Sequence, residues 1–346
     1  MMIVPHSLLT PPAPEQMVVP DRALGRHFML FIDTEEEFDW LAPFDRAATR
    51  VTAVGGMAHC QDYLTAAGVR PVYLADYPIL DSDPATALLG RWIADGAADV
   101  GGHLHPWVNP PHDEIVSIYN SFVGNLPEGL ERAKLESLCA RMEVRLGMRP
   151  IVYRAGRYGA GPNTARLLEE AGFRLDCSVR SRFDYSAQGG PDFSDMPLSP
   201  YRTGPDQMLI ELPLSTAFVG HLRPLGRLLH PLTQASRVAA AGLSRTGLFA
   251  RIPLTPEGVT AAQCVAAIDA LIEDEVPVLS FSFHSPTVEP GNTPYVRTID
   301  DLKSFYRWWD VVLDHLARRS VRPLGLDGFF ALVGNGAQSE HTCQAA

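Results

Sequence analysis

His103 and His105 stand two residues apart in Asp99-Val100-Gly101-Gly102-His103-Leu104-His105-Pro106-Trp107, a short apolar run broken by a proline. Residues two apart on a strand face the same side. Both imidazoles would therefore aim together past the strand's end, which is the geometry of a shared metal ion. A His-x-His pair by itself also occurs as buried, hydrogen-bonded core, so the chemistry needs further groups. The apolar run Phe28-Met29-Leu30-Phe31-Ile32 supplies some, because it ends in Asp33 and opens the acidic stretch Asp33-Thr34-Glu35-Glu36-Glu37. Alternation places Asp33 and Glu35 on one face at that strand's mouth. Arg154, Asp176 and His284 sit at or beside the ends of three more apolar runs. Metal ligation together with acid and base groups is what such a set offers.

The elements that must position these residues alternate along the chain. Apolar runs at 27–33, 70–75, 99–104, 151–154, 173–179, 208–212 and 276–284 read as strands. Helical patterns fall between them at 54–67, 84–94, 128–146, 162–171, 256–273 and 300–318, most of them closed by glycine. Strands alternating with helices predict a parallel sheet with helices outside, either open and doubly wound or closed. The polar groups discriminate between the two. Asp33, His103, Arg154, Asp176 and His284 all lie at C-terminal strand ends, which converge on one mouth only in a (β/α) barrel. The fold expected is α/β, a distorted (β/α) barrel of about seven parallel strands with outer helices. It would occupy residues 27–335 as a single domain, with a Pro-rich lead-in at 1–26, an insertion at 186–255 and a flexible tail at 336–346. Glu211, ending its own run, is a further candidate for the polar wall of the site.

Composition narrows the partners. With 29 basic against 40 acidic residues the net charge is −11, which argues against general nucleic-acid binding. Five scattered cysteines (Cys60, Cys139, Cys177, Cys264, Cys343) form no C-x-x-C and fit a reducing compartment. No basic segment precedes an apolar stretch at the N-terminus, and no apolar run reaches membrane-spanning length, so a cytoplasmic protein without a transmembrane segment is expected. Against this acidic background, residues 221–251 carry Arg223, Arg227, Arg237, Arg245 and Arg251 and no acid. That stretch reads as a surface helix, a lid, or a contact for a membrane surface or an anionic ligand.

The order of motifs resembles that of the polysaccharide deacetylase superfamily (carbohydrate esterase family four), and the wording is most similar to its WalW-type branch, over about residues 27 to 330. The matching stretches are Asp33 with Glu35, Asp99 to His103, Arg154-Ala155-Gly156-Arg157-Tyr158-Gly159, Leu175-Asp176-Cys177-Ser178 and Phe281-Ser282-Phe283-His284. The resemblance implies a divalent metal, Zn²⁺ by preference, on Glu35, His103 and a second histidine. That histidine's usual place, four residues on, is taken by Trp107, so His105 or His112 must substitute. Glu35 replaces an aspartate, and Arg157 stands where the family has proline.

The resemblance further implies Asp33 as the base toward water, with Arg154 holding it in place. A backbone N–H in the turn near Tyr158 would face the oxyanion. His284 would be the acid toward the departing amine, and Asp176 would keep it charged and aimed. The activity implied is metal-dependent hydrolysis of an amide C–N bond, most simply N-deacetylation of an acetylated sugar or sugar-containing intermediate of envelope biosynthesis. Two other classes stand beside it: a degenerate barrel that binds a glycan without cleaving it, and a metal amidase acting on a non-sugar amide. A metal-free carboxylate pair, Asp33 with Glu37, is a poorer fit because it leaves the histidines without a role.

Overall fold

Strand β1 (Arg26–Thr34) is buried along its whole length apart from its first residue, as expected of an apolar strand flanked on both faces by other elements. A computed structural model describes residues 7–20, 24–39, 42–226, 228–230, 242–243 and 245–335 and sets this strand between parallel neighbours on both sides. The other strands are β2 (Val72–Ala75), β3 (Asp99–Leu104), β4 (Val152–Ala155), β5 (Leu175–Asp176), β6 (Tyr201–Thr203), β7 (Leu209–Glu211), β8 (Thr216–Val219), β9 (Ala250–Pro253), β10 (Val278–His284) and β11 (Val321–Pro323).

The principal sheet runs β10-β1-β2-β3-β4-β5-β7-β6, with β11 beside the start of β1. Seven of its strands, β1 to β5, β7 and β10, are those expected from the sequence, and they pair in parallel. Strand β6 adds antiparallel to β7. Residues flanking the antiparallel β8–β9 pair bridge the gap between β10 and the far part of the sheet, with Leu214 N donating to Val179 O just beyond β5 (2.8 Å). Ser280 N donates to Ser215 Oγ (2.9 Å), Ser215 N to Ser280 O (3.4 Å) and Ser282 N to Leu254 O (3.1 Å). This is the distortion of the barrel: a hairpin's roots fill the place of an eighth strand.

Helices cover the outside. Val54–Ala66, Asp83–Ala94, Glu128–Leu146, Thr164–Glu170 and Ile299–Arg318 lie within a residue or two of their expected spans. The helix expected from 256 instead starts at Ala261, where Thr260 and Gln263 form a capping box. Gly258 in the left-handed region (φ +75°) breaks the chain before it. That difference matters to the site, because it leaves Glu257 on a loop.

Two other stretches are tied to the rest of the chain where they are described. In the basic stretch, Arg251 lies on β9, and Arg223 is tied to the helix Ala261–Glu273 and its cap through ion pairs with Glu273 and Asp274. Arg245 is exposed, while Arg227 and Arg237 lie outside the described residues. The lead-in, where described, is anchored: Leu8 is fully buried, and Val18 N donates to Pro200 O (2.9 Å). The tail at 336–346 lies outside the described residues. No helix among the described residues is long and apolar enough to cross a membrane.

Candidate functional site

The C-terminal ends of β1, β3 and β10 open into one cavity, whose lining includes Asp33, Glu35, His103, His105, Tyr158 and His284. Register explains part of this. Asp33 pairs with His284 across β1 and β10, and His103 with Arg154 across β3 and β4. Gly156 lets the next turn close: a Cβ there would come within 2.3 Å of His105 Cδ2 and 2.6 Å of Leu104 O. Arg157 (φ 55°) and Tyr158 (φ 59°) then both adopt left-handed backbone, a strained pair of the kind that accumulates at functional sites.

Glu35, His103 and His105 form a buried cluster. Their facing atoms, His103 Nε2, His105 Nε2 and Glu35 Oε2, lie 3.1 to 3.4 Å apart. His103 Nδ1 is 3.1 Å from the Arg154 carbonyl oxygen. That oxygen can only accept, so the hydrogen sits on Nδ1 and Nε2 presents a lone pair. His105 Nδ1 lies 2.8 Å from Glu36 Oε2, which fixes the same tautomer. Burial pushes His103 down to about 3 and His105 down to about 4, while burial with Glu36 and Asp33 nearby pushes Glu35 well above the ordinary carboxylate range. Glu35 Oε1 is buried with no hydrogen-bond partner. Three acceptors face one another at a spacing that a cation relieves, and two imidazoles with a carboxylate are the donor set of a divalent metal site. The residues fit the ion.

Behind this cluster, Glu36 holds both His105 and the Trp107 indole, whose Nε1 donates to Glu36 Oε1 (2.9 Å). Trp107 stacks on His105 with ring centroids 4.2 Å apart. Asp76 accepts from Glu36 N (3.0 Å) and caps the short helix Tyr77–Asp81 through Ile79 N (2.9 Å). His112 lines a separate cavity with Tyr77 and Pro110. The structure therefore brings His105, and not His112, to Glu35 and His103.

Asp33 forms a buried ion pair with Arg154, whose Nε donates to Cys177 O (2.9 Å). Burial opposes ionisation of Asp33, but Arg154 outweighs it, with His103 and His284 adding to the effect, and holds the carboxyl below its usual range. On its other side, Asp33 Oδ2 lies 3.8 Å from His284 Nε2.

The carboxylate that aims His284 is Glu257. Its Oε2 lies 2.7 Å from His284 Nδ1, and its Oε1 accepts from His284 N (3.1 Å). Burial works against a charged His284; Glu257 and Asp33 outweigh it and raise its pKa.

Asp176, expected in that role, lies elsewhere. Its strand position pairs it with Glu211, its Oδ1 accepts from Ser178 Oγ (2.6 Å), and its Oδ2 meets no donor. Asp176 is fully buried and does not line the cavity. Glu211 is fully buried and accepts from Val179 N (3.0 Å), so it packs beside Asp176 and forms no wall of the cavity. Burial raises both acids, and the charge of Asp176 raises Glu211 further. Glu37, the alternative partner for Asp33, accepts from Ala53 N (2.8 Å) and pairs with Arg50 (3.0 Å), which makes it a brace for the start of helix Val54–Ala66.

Sequence reasoning missed Glu36, Asp76 and Glu257. Asp76 follows the apolar run of β2, so the strand-end rule that found Asp33 also reaches it. Glu36 is out of phase with Glu35 and for that reason holds His105 from behind. Glu257 sits on an irregular loop, and no local pattern marks it.

No family model and no curated protein matches the chain. Among solved structures it is similar to a probable polysaccharide deacetylase from Pseudomonas aeruginosa PAO1, with 14% identity, TM-score 0.50 and coverage of 99% of each chain. It is also similar to Puue allantoinase (14% identity, TM-score 0.48, covering 100% of this chain and 98% of that one). A polysaccharide deacetylase from Bacillus cereus follows (12% identity, TM-score 0.41, covering 87% and 93%). At these identities the likeness is one of fold.

Proposed function

We propose that this chain is a metal-dependent hydrolase of an amide C–N bond that removes an acetyl group from an N-acetylated sugar or sugar-containing intermediate. The observation that carries the reading is the convergence of three metal-donor atoms, from Glu35, His103 and His105, beside the Asp33–Arg154 pair and His284 in one cavity. A bound divalent ion, Zn²⁺ by preference, supplies Lewis acidity toward the carbonyl and acidifies water at neutral pH.

The remaining steps belong to the chain's own groups. Asp33 accepts the proton of the attacking water. Because Arg154 keeps it a weak base, it depends on water that is already acidified. As the O–C bond forms, a backbone N–H in the turn at Tyr158 donates to the developing oxyanion. As the C–N bond breaks, His284, charged and aimed by Glu257, gives its proton to the leaving amine.

The sugar and the acetyl group are drawn from the motif resemblance, which also assigns the chain to the WalW-type branch. The fold likeness to a probable polysaccharide deacetylase is in keeping with it. The described cysteines, all free and buried, support a cytoplasmic site of action.

Metal analysis of the purified protein, beside acetate release from N-acetyl sugars and from small cyclic and linear amides, tests the proposal. One metal per chain, lost in His103→Ala, with acetate released from a sugar is the expected result. A protein that never carries metal would overturn it, and amine release from the non-sugar amides alone would remove the sugar.

A further inference from the structure

The cavity has a second wall, formed by Arg157, Tyr158, Arg180, Tyr185 and Gln188. Charges are not distributed evenly around it. Asp33 and Glu257, acids of the first wall, are committed to Arg154 and His284, and Glu35 faces the two histidines. The guanidinium groups of the second wall have no acid. Among the described residues no carboxylate ion-pairs with Arg157, Arg180 or the neighbouring Arg251.

Arg157 donates to Ser121 and Gln188, and its guanidinium carbon lies 4.2 Å from the Phe122 ring centre. Arg180 donates to Tyr185 OH (3.1 Å), and its Nε is buried without a partner. Phe183 carries both Arg180 (3.9 Å) and Arg251 (3.7 Å) against its ring. Burial and the charge of Arg180 together push Arg251 down to about 10. Like charges are thus held together with no carboxylate paired to them among the described residues, in a chain whose net charge is −11 and whose Asp39 lines the same cavity. Aromatic rings hold the forks in fixed orientations. A part-buried guanidinium held in a fixed orientation without a counter-charge is an arrangement that an entering anion stabilises.

We propose that this wall binds an oxyanion carried by the substrate, a phosphate ester or a carboxylate, at a position away from the amide that Asp33 and His284 address. The inference rests on the hydrolase reading and narrows its substrate to an anionic N-acetylated sugar. Arg180 is the principal contact, because it lines the cavity and has an unsatisfied donor. Arg157 flanks it across Tyr158, and Arg251 supports the charge from β9. Guanidinium forks suit such oxyanions because two parallel N–H bonds match two oxygens.

Calorimetric titration of the full chain with N-acetylglucosamine, its 1-phosphate, its 6-phosphate, N-acetylmuramic acid and inorganic phosphate tests this. At least one anionic sugar is expected to bind about tenfold or more tightly than the neutral one, since a charge-assisted hydrogen bond supplies that much. Added salt should shrink the difference, and the phosphate and carboxylate arms identify which oxyanion is read. Arg180→Gln should abolish the preference; should that variant melt early, Arg157→Gln and the salt dependence of the unmodified chain decide. Equal affinity for neutral and anionic sugars, or no measurable binding of any anionic probe, would overturn the proposal. Because the titration needs no turnover, setting it beside acetate release by the unmodified chain separates the two readings: a preference without acetate release fails only the hydrolase, and release without a preference fails only the anion site.

Discussion

His284 is charged by a neighbour against the effect of its surroundings. Burial alone lowers an imidazole pKa; Glu257 at 2.7 Å and Asp33 reverse the sign. A general acid must carry its proton, so turnover should decline as pH rises through the raised native value of His284. In Glu257→Gln the alkaline limb of kcat/KM should move to lower pH by about one unit, the order of shift that a single close charge produces. An unmoved limb would show that Glu257 merely packs. Stability follows the same sign. A raised native pKa gives stabilisation that is complete below the unfolded value of about 6.5 and fades as pH climbs through the native one, so this variant should lose more stability in acid than in base. Asp33 is separated from the metal donors by its commitment to Arg154. Asp33→Asn should therefore reduce kcat by about 10² to 10⁴ with metal content unchanged, and loss of metal in that variant would count Asp33 among the ligands.

At the level of elements, the end of β3 is positioned by a helix that does not touch the cavity. Lys134, on Glu128–Leu146, is fully buried; its Nζ donates to Pro106 O (2.8 Å), Asn109 O (2.6 Å) and Pro111 O (2.6 Å) and pairs with Glu114 (3.0 Å). One ammonium thereby pins the loop that follows His105. Lys134→Met would leave these carbonyls buried without that donor and Glu114 with Arg46 as its ion-pair partner, at a cost of about 3 to 5 kcal/mol. A lowered melting temperature together with weakened metal binding is the expected result; an unchanged melt would show that the loop holds itself. The helix itself was legible in the sequence, since Leu135, Leu138 and Met142 recur at its buried face. The role of Lys134 was not, because a lysine in an amphipathic pattern reads as solvent-facing until the loop it secures is seen.

For the whole molecule, three acceptors held face to face make metal binding a term in stability. A ligand bound only by the native state at a hundredfold its Kd adds about 2.7 kcal/mol, so Zn²⁺ added to chelator-treated protein should raise the melting temperature by several degrees. His103→Ala should lose that response while remaining folded. The same rise in both would remove the site from this cluster. Periodicity alone determined the seven parallel strands and most of their helices, because burying both faces of a strand demands continuous apolar residues whatever lies around it. It also pointed Asp33, Glu35, His103 and His284 at one mouth through period and strand direction, whereas His105 and His112 both stayed open for the metal until the structure placed His105 there. Only the tertiary structure decided that Glu257 and not Asp176 aims His284, that Glu36 fixes His105, and that Arg157 and Arg180 line the cavity beside Tyr158. Those choices depend on which loop reaches the barrel's rim. Loops carry no repeating pattern from which their reach can be read.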